Sequence, residues 1–140
     1  VLADSEKMIQ ALLNLLRNSL QALTSPKIDH QLGEIILRTR ISRNITIASK
    51  FYKLAVAIEI VDNGPGIPQE ISETIFYPMI SGRPDGSGLG LPISHGIVTQ
   101  HGGMIECDSK PGETKFTVTM PIKRNSKFST SKVQQVNELK

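Results

Sequence analysis

The chain has 140 residues, of which 39% are hydrophobic and 21% charged, as expected for one globular domain with one core. Its formal charge of +3 comes from residues 123–140, which hold five Lys/Arg against one Asp/Glu, so residues 1–122 are close to neutral. With 4% aromatic residues and no tryptophan, the chain lacks the basic, aromatic-rich surface of a nucleic-acid-binding protein.

Cysteine content and hydropathy narrow the class further. Cys107 is the only cysteine, which excludes a disulfide framework and a cysteine-based metal site and predicts an inert thiol. The longest apolar run is too short to span a bilayer, and the N-terminus lacks the pattern of a signal peptide, so we expect a cytoplasmic protein. Because the chain begins at Val1 without a methionine, we also expect it to be a piece of a longer protein.

The first predicted element is a helix from about Asp4 to Leu23. Asp4 is a favourable N-cap residue, and the segment TSP that follows Leu23 ends the helix. One face is apolar and is expected to face the core; it consists of Ile9, Leu12, Leu13, Leu16, Leu20 and Leu23. A second face is uncharged and polar, with Gln10, Asn14, Asn18 and Gln21. Because asparagine lowers helix propensity, this face is either an ordinary solvated surface or a binding surface whose amide oxygens suit magnesium.

Strands are predicted after a turn at residues 27–33. Residues 34–41 alternate between two faces, and residues 45–47 and 54–61 are two further strands joined through Ser49 and Lys50. The three strands form an antiparallel meander. The last strand ends at Asp62, the first residue of DNGPGI, whose glycines allow a tight turn that a flat ligand can approach closely. A short helix at about residues 69–75 is predicted next.

A second glycine-rich stretch, GSGLGL, precedes a predicted helix with Pro92 near its first turn and Gly102 after its end. Backbone N–H groups at a helix N-terminus bind anions, so the stretch is a candidate polyphosphate site. Its spacing fits neither the G-x-G-x-x-G of a Rossmann fold nor the Gly-Lys-Ser/Thr of a Walker loop. Residues 79–88, which carry three glycines and a proline, are expected to form a mobile lid. The alternative interpretation of DNGPGI and GSGLGL is that they are two unrelated tight turns with no shared ligand.

A hairpin and a polar tail complete the chain. Its strands are predicted at residues 104–107 and 114–122, with a turn at residues 110–113. Residues 123–140 show no periodicity and are expected to be a disordered basic tail, so the domain is predicted to occupy residues 1–122.

Four motifs therefore stand in order: NLLRN on the first helix, DNGPGI after a strand, FYP, and GSGLGL before a helix. With PGETKFTVTMP, they resemble the ATP-binding (GHKL or Bergerat-type) domain shared by sensor histidine kinases, gyrase-type topoisomerases and MutL, over residues 4–122. GEIILRTR, FYPMISGR and the short lid are most similar to nitrogen-regulation sensor kinases of the NtrB type. The chain departs from the pattern at Ser19, where alanine is usual, and at Glu113, where a second glycine often lies.

The resemblance implies an α/β (α+β) two-layer sandwich with a mixed, largely antiparallel sheet covered on one face by helices, and a short ATP lid. It implies ATP and magnesium (Mg2+) as ligands. Asp62 would accept a hydrogen bond from the adenine amino group, in a pocket shared with Gly64, Gly66, Ile67 and Thr114. Asn18 would coordinate Mg2+. The phosphates would be bound by the backbone of Gly86, Ser87, Gly88, Leu89, Gly90 and Leu91.

Asn14 and Arg83 are further candidate catalytic residues. Gyrase and MutL members carry a water-activating glutamate one helical turn before the magnesium asparagine, and here that place holds Asn14, whose amide cannot take up a proton at neutral pH. Arg83 in the lid is a candidate for contact with the γ-phosphate, with a solvated surface charge as the alternative. His30, His95 and His101 are expected to be structural or exposed, so the phospho-accepting histidine is expected outside this chain.

The predicted function is the catalytic domain of a two-component histidine kinase. The resemblance implies three partners, namely the dimerisation domain of the same protein, a response regulator and a PII-type signal protein. No nucleic acid is expected to bind directly. A water-activating ATPase, and a regulatory module that binds nucleotide without transfer, are the alternatives.

Overall fold

The computed structural model describes residues 4–24, 32–78 and 88–122. These residues form two helices and four strands, in the order α1 Ser5–Leu23, β1 Ile35–Ile47, β2 Lys50–Asp62, α2 Gly90–Gln100, β3 Met104–Lys110 and β4 Glu113–Pro121. The strands form a sheet in the order β1-β2-β4-β3, in which each neighbouring pair is antiparallel. The predicted α/β two-layer fold is confirmed, and the described sheet is antiparallel throughout.

α1 begins and ends where the sequence predicts. The Asp4 side chain accepts hydrogen bonds from the N–H groups of Glu6 at 3.1 Å and Lys7 at 3.2 Å, which satisfies two donors that the helix leaves without partners. The helix ends at Leu23, and Thr24 is its C-cap. The bounds predicted for the first helix are therefore confirmed.

The predicted core face of α1 was wrong in part. Ile9, Leu13 and Leu20 are 56%, 54% and 58% exposed, whereas the fully buried positions are Ala11, Leu15 and Ser19. Leu12 and Leu16 do pack against the core as predicted. The physical reason is close approach, because small side chains on the buried face let α1 lie near α2, where the Ser94 hydroxyl donates to the carbonyl of Ala11 at 3.1 Å.

β1 and β2 form one long hairpin where three strands were predicted. Residues 45–47 continue β1, and the turn consists of Ala48 and Ser49, both with positive φ, as in two-residue turns that match strand twist. The sequence placed this connection at Ser49 and Lys50, one residue too late, because neither Ala48 nor Ser49 is the glycine or asparagine usual at such positions. Only residues 55–62 of β2 pair with β4, so the rest of the hairpin extends beyond the sheet.

The segment after Pro68 is a run of turns, not the short helix that was predicted at residues 69–75. The N–H groups of Ile71 and Thr74 donate to carbonyls three residues earlier, at 3.1 and 2.9 Å. The hydroxyls of Ser72 and Thr74 also bond to carbonyls three residues earlier, those of Gln69 and Ile71. Such local side-chain bonds compete with the helical pattern, which explains why this segment does not form a regular helix.

The core lies between the two helices and one face of the sheet. It comprises Ala11, Leu15, Ile60, Ile75, Ile97, Val98, Ile105, Phe116, Val118 and Met120. Leu37 and Ile41 on β1 are 60% and 55% exposed, because this edge strand lies beyond the helices. At the end of the same sheet face, Asp62 and Thr114 pair across β2 and β4, and both are buried.

No helix among the described residues combines the length and the apolar character needed to cross a membrane. Several predictions fall outside those residues: most of the turn at residues 27–33, all but the last residue of the lid at residues 79–88, and the tail at residues 123–140. The same holds for His30, Arg83, Gly86 and Ser87.

Candidate nucleotide-binding site

Asp62 occupies the end of β2, where the last four strand residues are buried. Its carboxylate is inside the protein, at 1% exposure, and Oδ1 accepts a hydrogen bond from the N–H of Gly64 at 3.0 Å. A Cβ atom at Gly64 would lie 2.9 Å from this oxygen and 3.1 Å from the Cβ of Ala22. Glycine is therefore required for the turn to close between the carboxylate and α1.

The next glycine brings the same turn against the β3–β4 hairpin. Gly66 has φ of +86°, and a Cβ there would lie 2.6 Å from the carbonyl oxygen of Lys110, so a larger residue would push the two segments apart. One residue on, the N–H of Ile67 donates to the Ser109 hydroxyl at 2.8 Å. The DNGPGI turn is thus held between α1 on one side and the hairpin on the other.

Thr114 lies opposite Asp62 in the register of β2 and β4, at 3% exposure. Its hydroxyl oxygen is 2.9 Å from that of Ser109, which lies opposite Thr114 across β3 and β4. Thr114 was a predicted site residue, and Ser109 was not. Ser109 and Thr114 flank the predicted turn at residues 110–113. Pairing residues across that turn would have placed Ser109 opposite Thr114.

The polar face of α1 meets the start of α2. Asn14 Nδ2 donates to the carbonyl oxygen of Gly90 at 3.4 Å, a long but direct contact between residues from two separate motifs. Asn18 lies one helical turn after Asn14 and is therefore on the same face of α1. Both asparagines are half-buried. Asn14 and Asn18 are thus partly covered by neighbouring segments, whereas Gln10 on the same face is exposed, and a ligand-binding role for this face stays a prediction.

The described part of GSGLGL leads directly into α2. Gly88 has φ of +70°, and the N-cap residue, Leu89, has no side chain able to cap the helix. The N–H groups of the first turn of a helix have no partner within it, so those of Gly90 and Leu91 can serve an anion. Leu91 also packs against the core, which anchors this end of α2.

The chemistry of these side chains fits magnesium. The described residues contain no group of three or more His, Cys, Asp or Glu side chains placed to hold a metal ion. Mg2+ usually keeps several waters and binds through one or two protein oxygens together with substrate phosphates. The side-chain amide oxygen of Asn18 is a hard ligand of the kind that such a site needs.

Cys107 is not a nucleophile in this fold. Burial of the thiol, followed by the negative charges of Asp108 and Asp62, raises the pKa of Cys107 to about 12. The group is a protonated thiol at neutral pH, and thiolate is the reactive form. This agrees with the inert thiol predicted from the sequence.

The two described histidines have structural partners. The ring of His95 lies 5.2 Å from that of Phe76, centroid to centroid. His101 Nε2 accepts from the N–H of Asp4 at 3.1 Å, and its Nδ1 lies 2.7 Å from the carbonyl oxygen of Ile97. The two contacts are satisfied together when Nδ1 carries the proton, so His101 ties the end of α2 to the start of α1 as a neutral ring.

The sequence of the chain matches the model of a known protein family. A family model described as histidine kinase-, DNA gyrase B-, and HSP90-like ATPase matches residues 3–124. The chain belongs to this ATPase family. Relatives that align with most of the chain include the sensory histidine kinase/phosphatase NtrB of Escherichia coli O157:H7, which is 48% identical over 121 residues. NtrB of Vibrio alginolyticus is 47% identical over 124 residues.

These NtrB proteins are much longer than this chain. The matched region covers 86% of the chain but 33% of the E. coli protein, and 89% of the chain but 34% of the Vibrio protein. The chain therefore spans about a third of the length of these members of the ATPase family.

Solved structures of two histidine kinases have a similar fold. The mycobacterial sensor histidine kinase MprB superposes with a TM-score of 0.65 at 27% identity, covering 86% of this chain and 76% of that one. The catalytic domain of histidine kinase ThkA, in a nucleotide-free form, superposes with a TM-score of 0.63 at 28% identity, covering 85% of this chain and 68% of that one.

Proposed function

We propose that this chain is the ATP-binding catalytic domain of a sensor histidine kinase of the NtrB type. It transfers the γ-phosphoryl group of ATP to a histidine on a dimerisation domain outside this chain, in nitrogen-regulation signalling. The observation that carries the proposal is the contact between Asn14 and Gly90, which brings the amide face of α1 to the start of α2. The buried carboxylate of Asp62 lies at the other end of the site.

At the base end, Asp62 accepts a hydrogen bond from the adenine amino group. The Gly64 N–H already bonds to Oδ1, which fixes the carboxylate before nucleotide arrives. Gly66 and Ile67 keep the turn against the β3–β4 hairpin, and Thr114 lies beside the carboxylate on β4. A charged acceptor in a buried place favours a base with an amino group over one with a carbonyl oxygen there.

At the phosphate end, the backbone N–H groups of the GSGLGL loop bind the phosphates at the positive end of the α2 dipole. The donors are Gly86, Ser87, Gly88, Leu89, Gly90 and Leu91. Asn18 holds Mg2+, which neutralises charge on the phosphate oxygens when it is bound. Arg83 in the lid contacts the γ-phosphate and stabilises its charge during transfer.

Asn14 supports transfer over hydrolysis. Its side chain has no basic group, and its Nδ2 donates to Gly90, so it supports the phosphate loop and does not activate water. Phosphoryl transfer needs positioning and charge stabilisation more than covalent help from the protein. The nucleophile is therefore supplied by the acceptor histidine of another domain.

The proposal extends to the partners and the setting of the full protein. We assign a dimerisation domain of the same protein and a response regulator as its partners, with a PII-type protein as a regulatory partner and the cytoplasm as its location. The NtrB similarity supports the first two assignments. The PII partner rests on the sequence resemblance alone. The location rests on the short apolar runs of the sequence, and the domain limit at residue 122 rests on the polar, aperiodic character of residues 123–140 together with the resemblance.

Labelled ATP tests this proposal directly. Incubated alone with ATP and Mg2+, the chain should show negligible self-labelling and very slow phosphate release. Addition of a dimerisation-helix fragment with an acceptor histidine should produce labelled fragment. Asp62→Ala should block this transfer, while Asp108→Ala, which removes an exposed carboxylate on β3, should not. Rapid phosphate release without an acceptor would support an ATPase instead, and binding without transfer would support a regulatory module.

A further inference from the structure

We propose that Ser109 is a positioning residue that directs the hydroxyl proton of Thr114 toward an acceptor nitrogen of the bound adenine. The inference rests on the proposed function, because it takes an adenine nucleotide as the ligand. It starts from two hydrogen bonds of the Ser109 side chain on β3, which join the DNGPGI turn to Thr114, the residue opposite Ser109 on β4.

Ser109 is the connection between these segments. Its Oγ accepts from the N–H of Ile67 at 2.8 Å and lies 2.9 Å from the Thr114 hydroxyl oxygen. Next to it, Gly66 approaches the carbonyl of Lys110 too closely for any side chain. The turn therefore rests on the hairpin through a backbone contact and a single hydroxyl.

The hydroxyl protons allow two arrangements. A serine hydroxyl has one proton to donate and two lone pairs, and the N–H of Ile67 uses one lone pair of Ser109. In the first arrangement Thr114 donates to Ser109, and the Ser109 proton points to solvent, which this half-buried residue can reach. In the second, Ser109 donates to Thr114, and the proton of Thr114 turns away from Ser109.

The empty and the occupied site favour different arrangements. Thr114 is 3% exposed, and among the described residues its hydroxyl bonds to Ser109, which accepts its proton when no ligand is bound. The adenine ring presents an acceptor nitrogen next to its amino group, and Thr114 lies beside Asp62, the residue that we place at that amino group. Binding therefore selects the second arrangement.

In the second arrangement the donors run in one direction. Ile67 donates to Ser109, Ser109 donates to Thr114, and Thr114 donates to the base. Hydrogen bonds arranged in this way polarise one another, so each strengthens the next. Loss of the Ser109 hydroxyl weakens the contact of Thr114 with the base and also releases the Ile67 end of the turn.

The effect belongs to the base end of the site. Ser109 contacts neither α1 nor α2 in its described hydrogen bonds. Its removal should therefore weaken ATP and ADP binding by the same factor and leave the ratio of the two affinities unchanged. A residue that stabilised only the phosphate loop would change that ratio.

The test is calorimetry of ATP and ADP binding, with Mg2+, to the parent chain, Ser109→Ala, Thr114→Val and the double variant. Each single change should weaken both affinities by about tenfold, the effect of one hydrogen bond. The double variant should bind little worse than the weaker single variant, because the two hydroxyls act through one another. Ser109→Thr, which keeps a hydroxyl on a strand, should restore most of the affinity.

The control is Ser42→Ala on β1, which removes, on a half-buried residue, a hydroxyl that accepts from Arg40, and it should bind as the parent does. The melting temperature of each variant is measured alongside. If Ser109→Ala does not fold, Ser109→Cys makes the same comparison, because a thiol is a weak hydrogen-bonding group.

The outcomes separate this inference from the proposed function. If the parent binds no adenine nucleotide, the proposed function and this inference fall together. If the parent binds ATP and Ser109→Ala binds it equally well, this inference alone is overturned. Independent, multiplying effects of Ser109→Ala and Thr114→Val would also overturn it, because they would show that Ser109 does not act through Thr114.

Discussion

Exchanging one atom of the Asp62 side chain separates its two roles in the base pocket. Asp62→Asn keeps the volume of the side chain and keeps an oxygen that can accept from Gly64, the bond seen at 3.0 Å. The other oxygen becomes an amide nitrogen, which donates. This donor then faces the amino group of adenine, which is also a donor, so we expect the fold to survive and ATP binding to fail.

The magnitude follows from the burial of Asp62, which is 1% exposed, so water cannot replace the lost partner. A hydrogen bond to a charged group contributes about 1.5–3 kcal/mol, and each 1.4 kcal/mol is about tenfold, so affinity should fall by about 10- to 150-fold. Inosine triphosphate has a carbonyl oxygen where ATP has the amino group. The variant should therefore bind it better than ATP, reversing the preference of the parent.

Calorimetry with both nucleotides measures this reversal, and thermal unfolding measures the fold. Asp108→Asn is the matched control, because it makes the same charge change on an exposed β3 residue. The reasoning is refuted if folded Asp62→Asn binds ATP within twofold of the parent, since Asp62 would then not contact the amino group.

Asn18→Ala should abolish the gain in ATP affinity that Mg2+ gives, while Asn14→Ala should reduce that gain less. Calorimetry of ATP binding with and without Mg2+ compares the two variants. Equal Mg2+ dependence in Asn18→Ala and the parent would exclude Asn18 as a metal ligand. Ser19→Ala should raise the free energy of unfolding, measured by urea denaturation, by about 1 kcal/mol, because Ser19 Oγ is buried without a partner among the described residues. Ser94→Ala, which removes a hydroxyl bonded to a carbonyl, should lower that free energy. A loss of stability in Ser19→Ala would contradict this account. Burial and nearby charge raise the pKa of Cys107 from 9.0 to about 12, so the unfolded chain releases this proton at a lower pH than the folded chain does. The free energy of unfolding should therefore fall between pH 9 and 12, and it should fall less in Cys107→Ala. Identical pH profiles of the two proteins would refute this prediction.

Much of the fold was predictable because its signals are local. The N-cap Asp4, the apolar strand that ends at Asp62 and the glycines after it are short-range features, and the structure places each where the sequence predicts. The juxtaposition of Asn14 with Gly90 joins residues 76 positions apart. Only the family resemblance predicted that these motifs form one site.

The failures come from tertiary packing and from turns. Leucines at helical spacing favoured Leu13 and Leu20 as core residues, but the need for close approach buried Ala11 and Ser19 instead. The polar residues Ser42, Arg43 and Asn44 interrupt the apolar alternation, so the single strand β1 was divided into two predicted pieces, although Asn44 with its positive φ lies within the strand. Ser109 was missed because its role depends on strand register, which periodicity does not determine.

The two halves of β2 differ in how many neighbouring strands stabilise them. Residues 55–62 of β2 have neighbours on both sides, and the carbonyl of Leu54 accepts from the N–H of Ile122 just after β4, whereas residues 50–53 pair with β1 alone among the described residues. A two-stranded ribbon is marginally stable by itself, so its amide hydrogens should exchange with solvent through local opening. The amide hydrogens near Asp62 should exchange only when the whole domain unfolds. The outer half of the hairpin can therefore bend or open without disturbing the base pocket, which lies at the end of β2 that is supported on both edges.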